Sequence, residues 1–202
     1  KEGKGEGNTD IFVDVMDSGF QLAFRQSRAS NIVDANTNPI KFTASTTQEA
    51  DIAIYVDDLK IGEASNVTQL QATYKFENIG DYDVKSVATA GGKTLEKHIT
   101  MVFARPSEPA ADQTVPPMGL TKNSDGTYTF CVAAPQKNTV MVLGSWNGYQ
   151  AANAFVMDYV DVQKDGGTFR YFKTTLPKAT TGTEYGYYYL VDGRTAVGDP
   201  YA

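Results

Sequence analysis

The chain has 202 residues, of which 41% are hydrophobic and 11% aromatic, and its formal net charge is -6. This hydrophobic fraction excludes wholesale disorder, and the length suits one or two domains. The excess of acidic over basic residues argues against nucleic acid as a partner and against an anionic membrane surface, because both kinds of binding use basic patches.

A single cysteine and a single histidine restrict the chemistry that this chain can perform. Cys131 cannot form an intrachain disulfide, and together with His98 it cannot build a Cys/His zinc site. Both residues lie in alternating, strand-like runs, so we interpret Cys131 as a strand residue without chemistry and His98 as structural. The pair Asp57-Asp58 is interpreted as a hairpin corner rather than a calcium site, because no further ligands follow at a suitable spacing. We predict no metal, no cofactor and no catalytic residue.

The first nine residues are polar and rich in glycine, which is typical of a flexible tether. No signal peptide is recognisable, and no apolar run approaches the roughly 18 residues that a membrane-spanning helix needs.

Between residues 10 and 104, short runs alternate in hydrophobicity with a period of two, which predicts an antiparallel β-sandwich. Segment 67–74 could form a helical turn, but its β-branched and aromatic residues favour a strand. Turn signals occur at Asn38-Pro39, Asp57-Asp58, Gly80-Asp81 and Gly91-Gly92. The predicted strands cover residues 11–15, 20–24, 40–44, 52–56, 70–76, 82–88 and 99–103.

Residues 105–117 contain four of the eight prolines of the chain and show no hydrophobic period, which predicts a semi-rigid linker between two domains. A second β-sandwich is expected over residues 118–202. The fold class is therefore all-β, with two immunoglobulin-like sandwiches in tandem. Strands of the second sandwich are predicted at 127–134, 139–142, 155–159, 168–176 and 184–191.

The stretch Leu143 to Tyr149 contains the single tryptophan of the chain, Trp146, and an Asn147-Gly148 pair, which is a strong signal for a tight turn. Trp146 is interpreted either as a core ring or as a ligand contact, whereas Tyr149, beyond the turn, is the better candidate for an exposed ring. In the last predicted strand both faces are apolar. We expect Tyr188 and Leu190 either to meet a second layer or to form a sticky surface.

Three ordered pieces of the second half resemble a known family: residues 128–135 with 140–147, residues 167–177, and residues 185–193 followed by the exit 197–202. Together they are similar to carbohydrate-binding module family 48, the β-sandwich that precedes the catalytic barrel in family 13 glycoside hydrolases of the α-amylase, pullulanase and branching-enzyme group. Residues 10–104 resemble, more loosely, an immunoglobulin-like domain of bacterial envelope polysaccharide enzymes.

The resemblance implies a fragment of a larger amylase-like enzyme, in which the catalytic barrel follows residue 202 and the tether leads back to a lipoprotein anchor. It implies a secreted or cell-envelope location and an α-glucan such as starch or glycogen as a partner. The family places a sugar-binding aromatic where Tyr149 falls. It has a basic residue where this chain has Tyr188, and a second Trp that this chain lacks. These departures argue against glycan binding by this module alone.

Three hypotheses follow. The chain is a non-catalytic accessory region that packs on the barrel and contacts α-glucan through Trp146, Tyr149 and Tyr188, with Asn147 as a hydrogen-bonding partner. Alternatively, it is a structural spacer that binds no ligand, or a stand-alone starch-binding envelope protein. A (β/α)₈ barrel typically needs about 250 residues of alternating strand and helix, which this chain does not have.

Overall fold

A computed structural model of the chain describes residues 19–28, 30–33, 38–177 and 183–201. Within these ranges the protein is all-β, with thirteen strands, two single-turn 3-10 helices and no α-helix. The strands form immunoglobulin-like β-sandwich architecture, which confirms the predicted fold class. The predicted tether and the strand predicted at 11–15 lie outside the described residues.

The first six strands form a single sheet. We call this sheet, together with its core, the N-terminal unit. The strands follow the order β1-β3-β5-β6-β2, and β4 pairs with β3. All pairs are antiparallel except β2 with β6. The strands are β1 (Leu22–Gln26), β2 (Ile32–Val33), β3 (Ile40–Val56), β4 (Leu59–Tyr74), β5 (Gly80–Ala90) and β6 (Lys93–Phe103).

Strand β3 is continuous over 17 residues, so the prediction of two separate strands at 40–44 and 52–56 was wrong. Its register against β4 shifts repeatedly between Ser45 and Tyr55. Bulges of this kind insert unpaired residues and interrupt the period-two alternation, which is why the sequence pattern breaks in the middle of the strand. The first half of β3 pairs with β1 and the second half with β5, so this strand connects β1 to the rest of the sheet.

Other boundaries also differ from the prediction. Gly80-Asp81 opens β5 instead of forming a turn, and β10 begins at Asp158 because a 3-10 turn occupies Asn153–Phe155. Segment 67–74 is strand, as its residue types favour. No prediction covers β2, β7 and β13, whose two to four residues are too few to show alternation.

The core of the N-terminal unit is aromatic and fully enclosed. Phe42 and Phe76 are at most 1% exposed, and the ring of Phe76 contacts Phe42, Tyr74 and Tyr82 edge-on. Aromatic rings bury large areas and prefer such edge-to-face contacts. The loop before β3 closes over this core: the side chain of Asn38 accepts a hydrogen bond of 2.9 Å from Phe76 N and donates another to Phe76 O.

The last seven strands form two sheets that pack face to face, which we call the C-terminal unit. One sheet has the order β10-β11-β8-β7 and the other β13-β12-β9. Their shared core contains Phe130, Val142, Phe172 and Tyr189. The strands are β7 (Gly119–Lys122), β8 (Tyr128–Ala133), β9 (Val140–Gly144), β10 (Asp158–Lys164), β11 (Gly167–Leu176), β12 (Tyr187–Val191) and β13 (Thr195–Val197).

The sheet of β9 and β12 is buried on both faces. Val140, Val142 and Tyr189 point into the core of the C-terminal unit. Met141 and Leu143 point the other way, and there they form a second buried cluster with Val102 of β6. The outer face of this sheet therefore meets the N-terminal unit. The sequence left open whether Tyr188 and Leu190 meet a second layer or form a sticky surface. Both pack against this cluster, so they meet a second layer.

One asparagine connects the two units by hydrogen bonds. Asn153 Nδ2 donates to Asp81 (2.8 Å) and to Phe103 O (3.2 Å), and its backbone N–H also donates to the Asp81 carboxylate (3.0 Å). Its Oδ1 accepts from the backbone N–H of Arg105 at 2.7 Å. An amide side chain offers two donor hydrogens and one acceptor oxygen, and here each is used.

The proline-rich segment packs against the C-terminal unit. Pro109 forms a parallel bridge with Tyr159, and Ala110 is 8% exposed. Arg105 Nη1 lies 2.7 Å from Asp158 Oδ1, while Arg105 Nη2 donates to Val156 O. The segment that we interpret as a linker is thus held along β10.

Replacing Leu143 with Ala tests the contact between the two units. Leu143 is 2% exposed, so its truncation leaves a cavity in the cluster with Val102, and we expect a loss of about 2–5 kcal/mol in the free energy of unfolding. The measurement is the urea midpoint. Leu59→Ala is the matched control: Leu59 is 58% exposed, and we expect a change of about 0.5 kcal/mol or less. Equal effects of the two changes would contradict a packed interface.

The segment after β13 is held by two tyrosines. The hydroxyls of Tyr187 and Tyr189 both donate to Asp199 Oδ2, the latter at 3.2 Å. Burial, followed by the charge of Asp199, raises the pKa of Tyr189 well above its ordinary value. Its ring is 0% exposed, so the neutral form is strongly favoured in the folded chain.

Stability should consequently fall in alkaline solution. The folded-state pKa of Tyr189 lies above the unfolded value of about 10. The contribution of Tyr189 to the free energy of unfolding is therefore complete below pH about 10. It is lost as the pH rises further, by at most about 1.4 kcal/mol per pH unit. Urea unfolding between pH 8 and 11 measures this slope. We expect Tyr189→Phe to reduce it and Tyr201→Phe, at a residue that is 60% exposed, to leave it unchanged. An unchanged slope for Tyr189→Phe would contradict the assignment.

Candidate functional site

The turn after β9 aims Tyr149 back across the sheet. It comprises the 3-10 turn Ser145–Asn147, followed by Gly148 and Tyr149 with φ of 67° and 59°. The backbone N–H of Tyr149 donates to Gly144 O at 2.9 Å and closes the turn. A tyrosine at positive φ is uncommon, and the surrounding structure must hold it in this conformation.

Tyr149 and Tyr188 form a stacked pair. Their ring centroids lie 5.7 Å apart and the ring planes are inclined by 17°. Beyond the ring, the hydroxyl of Tyr149 reaches over Gly186, where an added Cβ would lie 2.8 Å from the hydroxyl oxygen. Tyr149 is 41% exposed, whereas Tyr188 is half-buried against the interface cluster. The ring of Tyr188 thus lies on the buried side of the Tyr149 ring and supports it.

Trp146 lies away from this pair, against the core of the C-terminal unit. Its ring contacts Phe130, Phe155 and Tyr185, with centroids 5.8 to 6.4 Å apart. It lies directly over Gly144, where a Cβ would be 2.1 Å from the indole. Its Nε1 is buried without a hydrogen-bond partner. These contacts are those of a core ring, one of the two interpretations open from the sequence.

Asn147 serves the turn itself. Its Nδ2 donates to Gln150 O at 2.7 Å, and its Oδ1 is buried without a partner. Of the four residues predicted to contact sugar, the structure therefore brings Tyr149 and Tyr188 together, packs Trp146 against the core and uses Asn147 within the turn.

A cleft of about 790 Å³ opens between the two units, and the tyrosine pair lies in it. Pockets for small ligands typically have volumes of about 300–1,000 Å³. The C-terminal unit supplies a wall with Tyr149, Tyr188 and Gln150. The N-terminal unit supplies the facing wall, which carries Arg25, Arg28 and His98.

The facing wall is rich in hydrogen-bond donors. Arg25 and Arg28 are exposed, and neither forms an ion pair with an acidic residue of the described ranges. His98 Nδ1 lies 2.9 Å from Asp83 Oδ2, so the histidine has a carboxylate partner that its sequence context does not reveal. None of the described residues that line the cleft is Asp or Glu. The charged side chains that line the cleft are thus basic, although the chain as a whole is acidic.

The sequence gives little sign of this second wall. Leu22 and Phe24 mark the inward face of β1, so alternation places Arg25 on the outward face. Only the packing of the two units brings that outward face opposite Tyr149.

A smaller cleft of about 360 Å³ lies between the proline-rich segment and β11. Lys173 occupies it, with its Nζ 2.7 Å from Thr114 O and 3.2 Å from Asp112 Oδ2. Hydrogen bonds from Thr114 and then Lys173 lower the pKa of Asp112 to about 2. These groups hold the segment on the sheet and satisfy one another.

Cys131 and the acidic residues complete the inventory of reactive groups. Cys131 is fully buried beside Met118, and burial raises the pKa of its thiol to about 11, which keeps it protonated at neutral pH. Asp161 forms an ion pair with Arg170, and hydrogen bonds from Arg170 lower the pKa of the Asp161 carboxyl. No group of three His, Cys, Asp or Glu side chains within the described ranges is placed to hold a metal ion.

No protein-family model matches this chain, and no curated protein matches it either. Among solved structures, it is similar to the fibronectin(III)-like modules of CbhA from Clostridium thermocellum, at 13% identity over 88% of this chain and 89% of that one, with a TM-score of 0.36. The fold assignment rests on the sheets of this chain itself. In the part of the chain that the structure describes, no helix is long and apolar enough to cross a membrane.

Gly144→Ala tests the placement of Trp146. The new methyl group would lie within van der Waals radii of the indole, so the ring must move out of its packed position. We expect a shift of the tryptophan fluorescence emission to longer wavelength together with a loss of stability of about 1–3 kcal/mol. Gly198→Ala is the control, because nothing lies within 4 Å of its Cβ position. An unchanged spectrum for Gly144→Ala would place Trp146 elsewhere.

Proposed function

We propose that the chain is a non-catalytic accessory region of an α-amylase-type glycoside hydrolase, and that it contacts α-glucan at Tyr149 and Tyr188. The observation that carries this proposal is the half-exposed ring of Tyr149, which is stacked on Tyr188 at the wall of a cleft large enough for an oligosaccharide. The apolar C–H face of a pyranose ring can stack on such a platform. The family resemblance adds that an aromatic at this turn is where sugar binds.

The acidic residues support a non-catalytic role. A glycosidase needs two carboxyl groups about 5–9.5 Å apart across the scissile bond. Among the described residues, Asp158, Asp161 and Asp112 each pair with a basic side chain. The cleft that contains the tyrosines has no described carboxylate in its lining. The chemistry of the parent protein is accordingly proposed for a barrel that follows this region, and not for this region itself.

Stacking on one ring gives modest affinity. Covering about 50–80 Å² of apolar surface yields roughly 1–2 kcal/mol, whereas millimolar binding needs about 4 kcal/mol. Hydrogen bonds to charged donors contribute about 1.5–3 kcal/mol each. A useful site therefore needs Tyr149 together with polar groups from elsewhere in the cleft, or several modules acting together.

We further propose a secreted or cell-envelope location, with the N-terminal tether leading to a lipoprotein anchor. The N-terminal unit packs against the face that carries Tyr188 and Leu190, so the contact with the barrel is proposed for another face of the C-terminal unit. The exposed apolar side chains Leu120, Phe169, Val197 and Tyr201 are candidates for that contact.

A purely structural spacer is the second candidate. The observation in its favour is the same interface: the apolar outer face of the β9–β12 sheet is used to join the two units. In this case the tyrosine pair only stabilises the turn, and no glycan binds.

Affinity electrophoresis in gels that contain starch or glycogen separates the two candidates. We expect the chain to be retarded, and Tyr149→Ala to weaken binding by about 5- to 30-fold, the equivalent of one stacking contact. Tyr201→Ala, which removes an exposed ring outside the cleft, is the matched control and should leave retardation unchanged. If the unmodified chain is not retarded, the spacer is the correct function.

A further inference from the structure

We infer that the N-terminal unit forms half of the glycan site: Arg25 and Arg28 bind the hydroxyl and ring oxygens of the same oligosaccharide that stacks on Tyr149. The inference rests on the proposed function and extends it, because it gives the N-terminal unit a binding role and makes the site a property of both units together. The first observation is that one cleft is lined by Arg25 and Arg28 on one side and by Tyr149 and Tyr188 on the other.

The two arginines have unused donors at this wall. Each guanidinium carries five N–H groups and no acceptor, and the structure shows no ion pair of either with a described acidic residue. Sugar hydroxyls and ring oxygens are acceptors, so the chemistry of the wall complements that of an oligosaccharide. The stacking platform opposite supplies the apolar half of the recognition.

Local hydrogen bonds order the segment that carries the arginines. The side chain of Gln26 donates to Ser30 O and Asn31 Oδ1, both at 3.0 Å, and accepts from the backbone N–H of Arg28 at 2.9 Å. Ser30 Oγ in turn contacts Gly193 O of the C-terminal unit at 3.4 Å. Arg28 therefore projects from a turn that is tied to both units.

The interface fixes the distance between the walls. Asn153 binds Asp81 and the carbonyl of Phe103, and Val102 packs on Met141 and Leu143. A site whose two halves are already placed avoids the entropic cost of bringing them together when the ligand binds. The modules that the C-terminal unit resembles have a basic residue where this chain has Tyr188. In this chain the basic groups of the cleft come from the N-terminal unit instead.

The test is calorimetric titration of the whole 202-residue chain with maltoheptaose at low salt. We expect the double change Arg25→Ala and Arg28→Ala to weaken binding by about tenfold. Lys93→Ala with Lys122→Ala is the matched control, since it removes two exposed positive charges outside the cleft and should change affinity less than about twofold. Tyr149→Ala serves as the reference for the opposite wall.

The outcomes separate the inference from the function on which it rests. Binding that is lost on Tyr149→Ala but unaffected by the arginine changes overturns the composite site and leaves glycan binding in place. Absence of binding by the unmodified chain overturns both. A second measurement needs no variant: in amide spectra of the chain, maltoheptaose should shift the signals of Arg28 and Asn31 along with that of Tyr149. Shifts confined to the C-terminal unit would contradict the inference.

Discussion

The doubly buried sheet of β9 and β12 is the constraint on which the rest of the structure depends. Its inner face forms the core of the C-terminal unit, and its outer face forms the contact with β6 through Met141, Leu143 and Val102. A strand pair that is apolar on both faces must find two apolar partners. The sandwich supplies one partner and the N-terminal unit supplies the other, so the same five-residue strands define a core and an interface.

Hydrogen bonds then fix how the two units are oriented across this apolar interface. Asn153 uses both amide hydrogens and its oxygen on Asp81, Phe103 and Arg105. Apolar packing is non-directional, whereas a partly buried amide whose donors and acceptor are all used favours one arrangement. The cleft exists because of this arrangement: its aromatic wall belongs to the C-terminal unit and its arginine wall to the N-terminal unit.

Within the cleft, the turn after β9 shows how local backbone geometry selects the exposed ring. Trp146 is drawn under the turn because Gly144 leaves room for the indole. Gly148 and Tyr149 at positive φ return the chain so that Tyr149 lies on Tyr188. Of two aromatic residues three positions apart, one thus becomes core and the other surface. The sugar role of Tyr149 and Tyr188 is a proposal supported by this placement, by the cleft and by the family resemblance.

The sequence alone determined what depends on local alternation and turn chemistry: the all-β class, most strands, the hairpin corner at Asp57-Asp58 and the apolar character of both faces of β12. It did not show that β3 is one strand, because bulges hide its period. It also could not show that Arg25 and Arg28 face Tyr149, since these residues are more than 100 positions apart and nothing in either strand encodes the other. Alternation states which side chains leave a sheet, but only the packing of one unit on another decides what they meet.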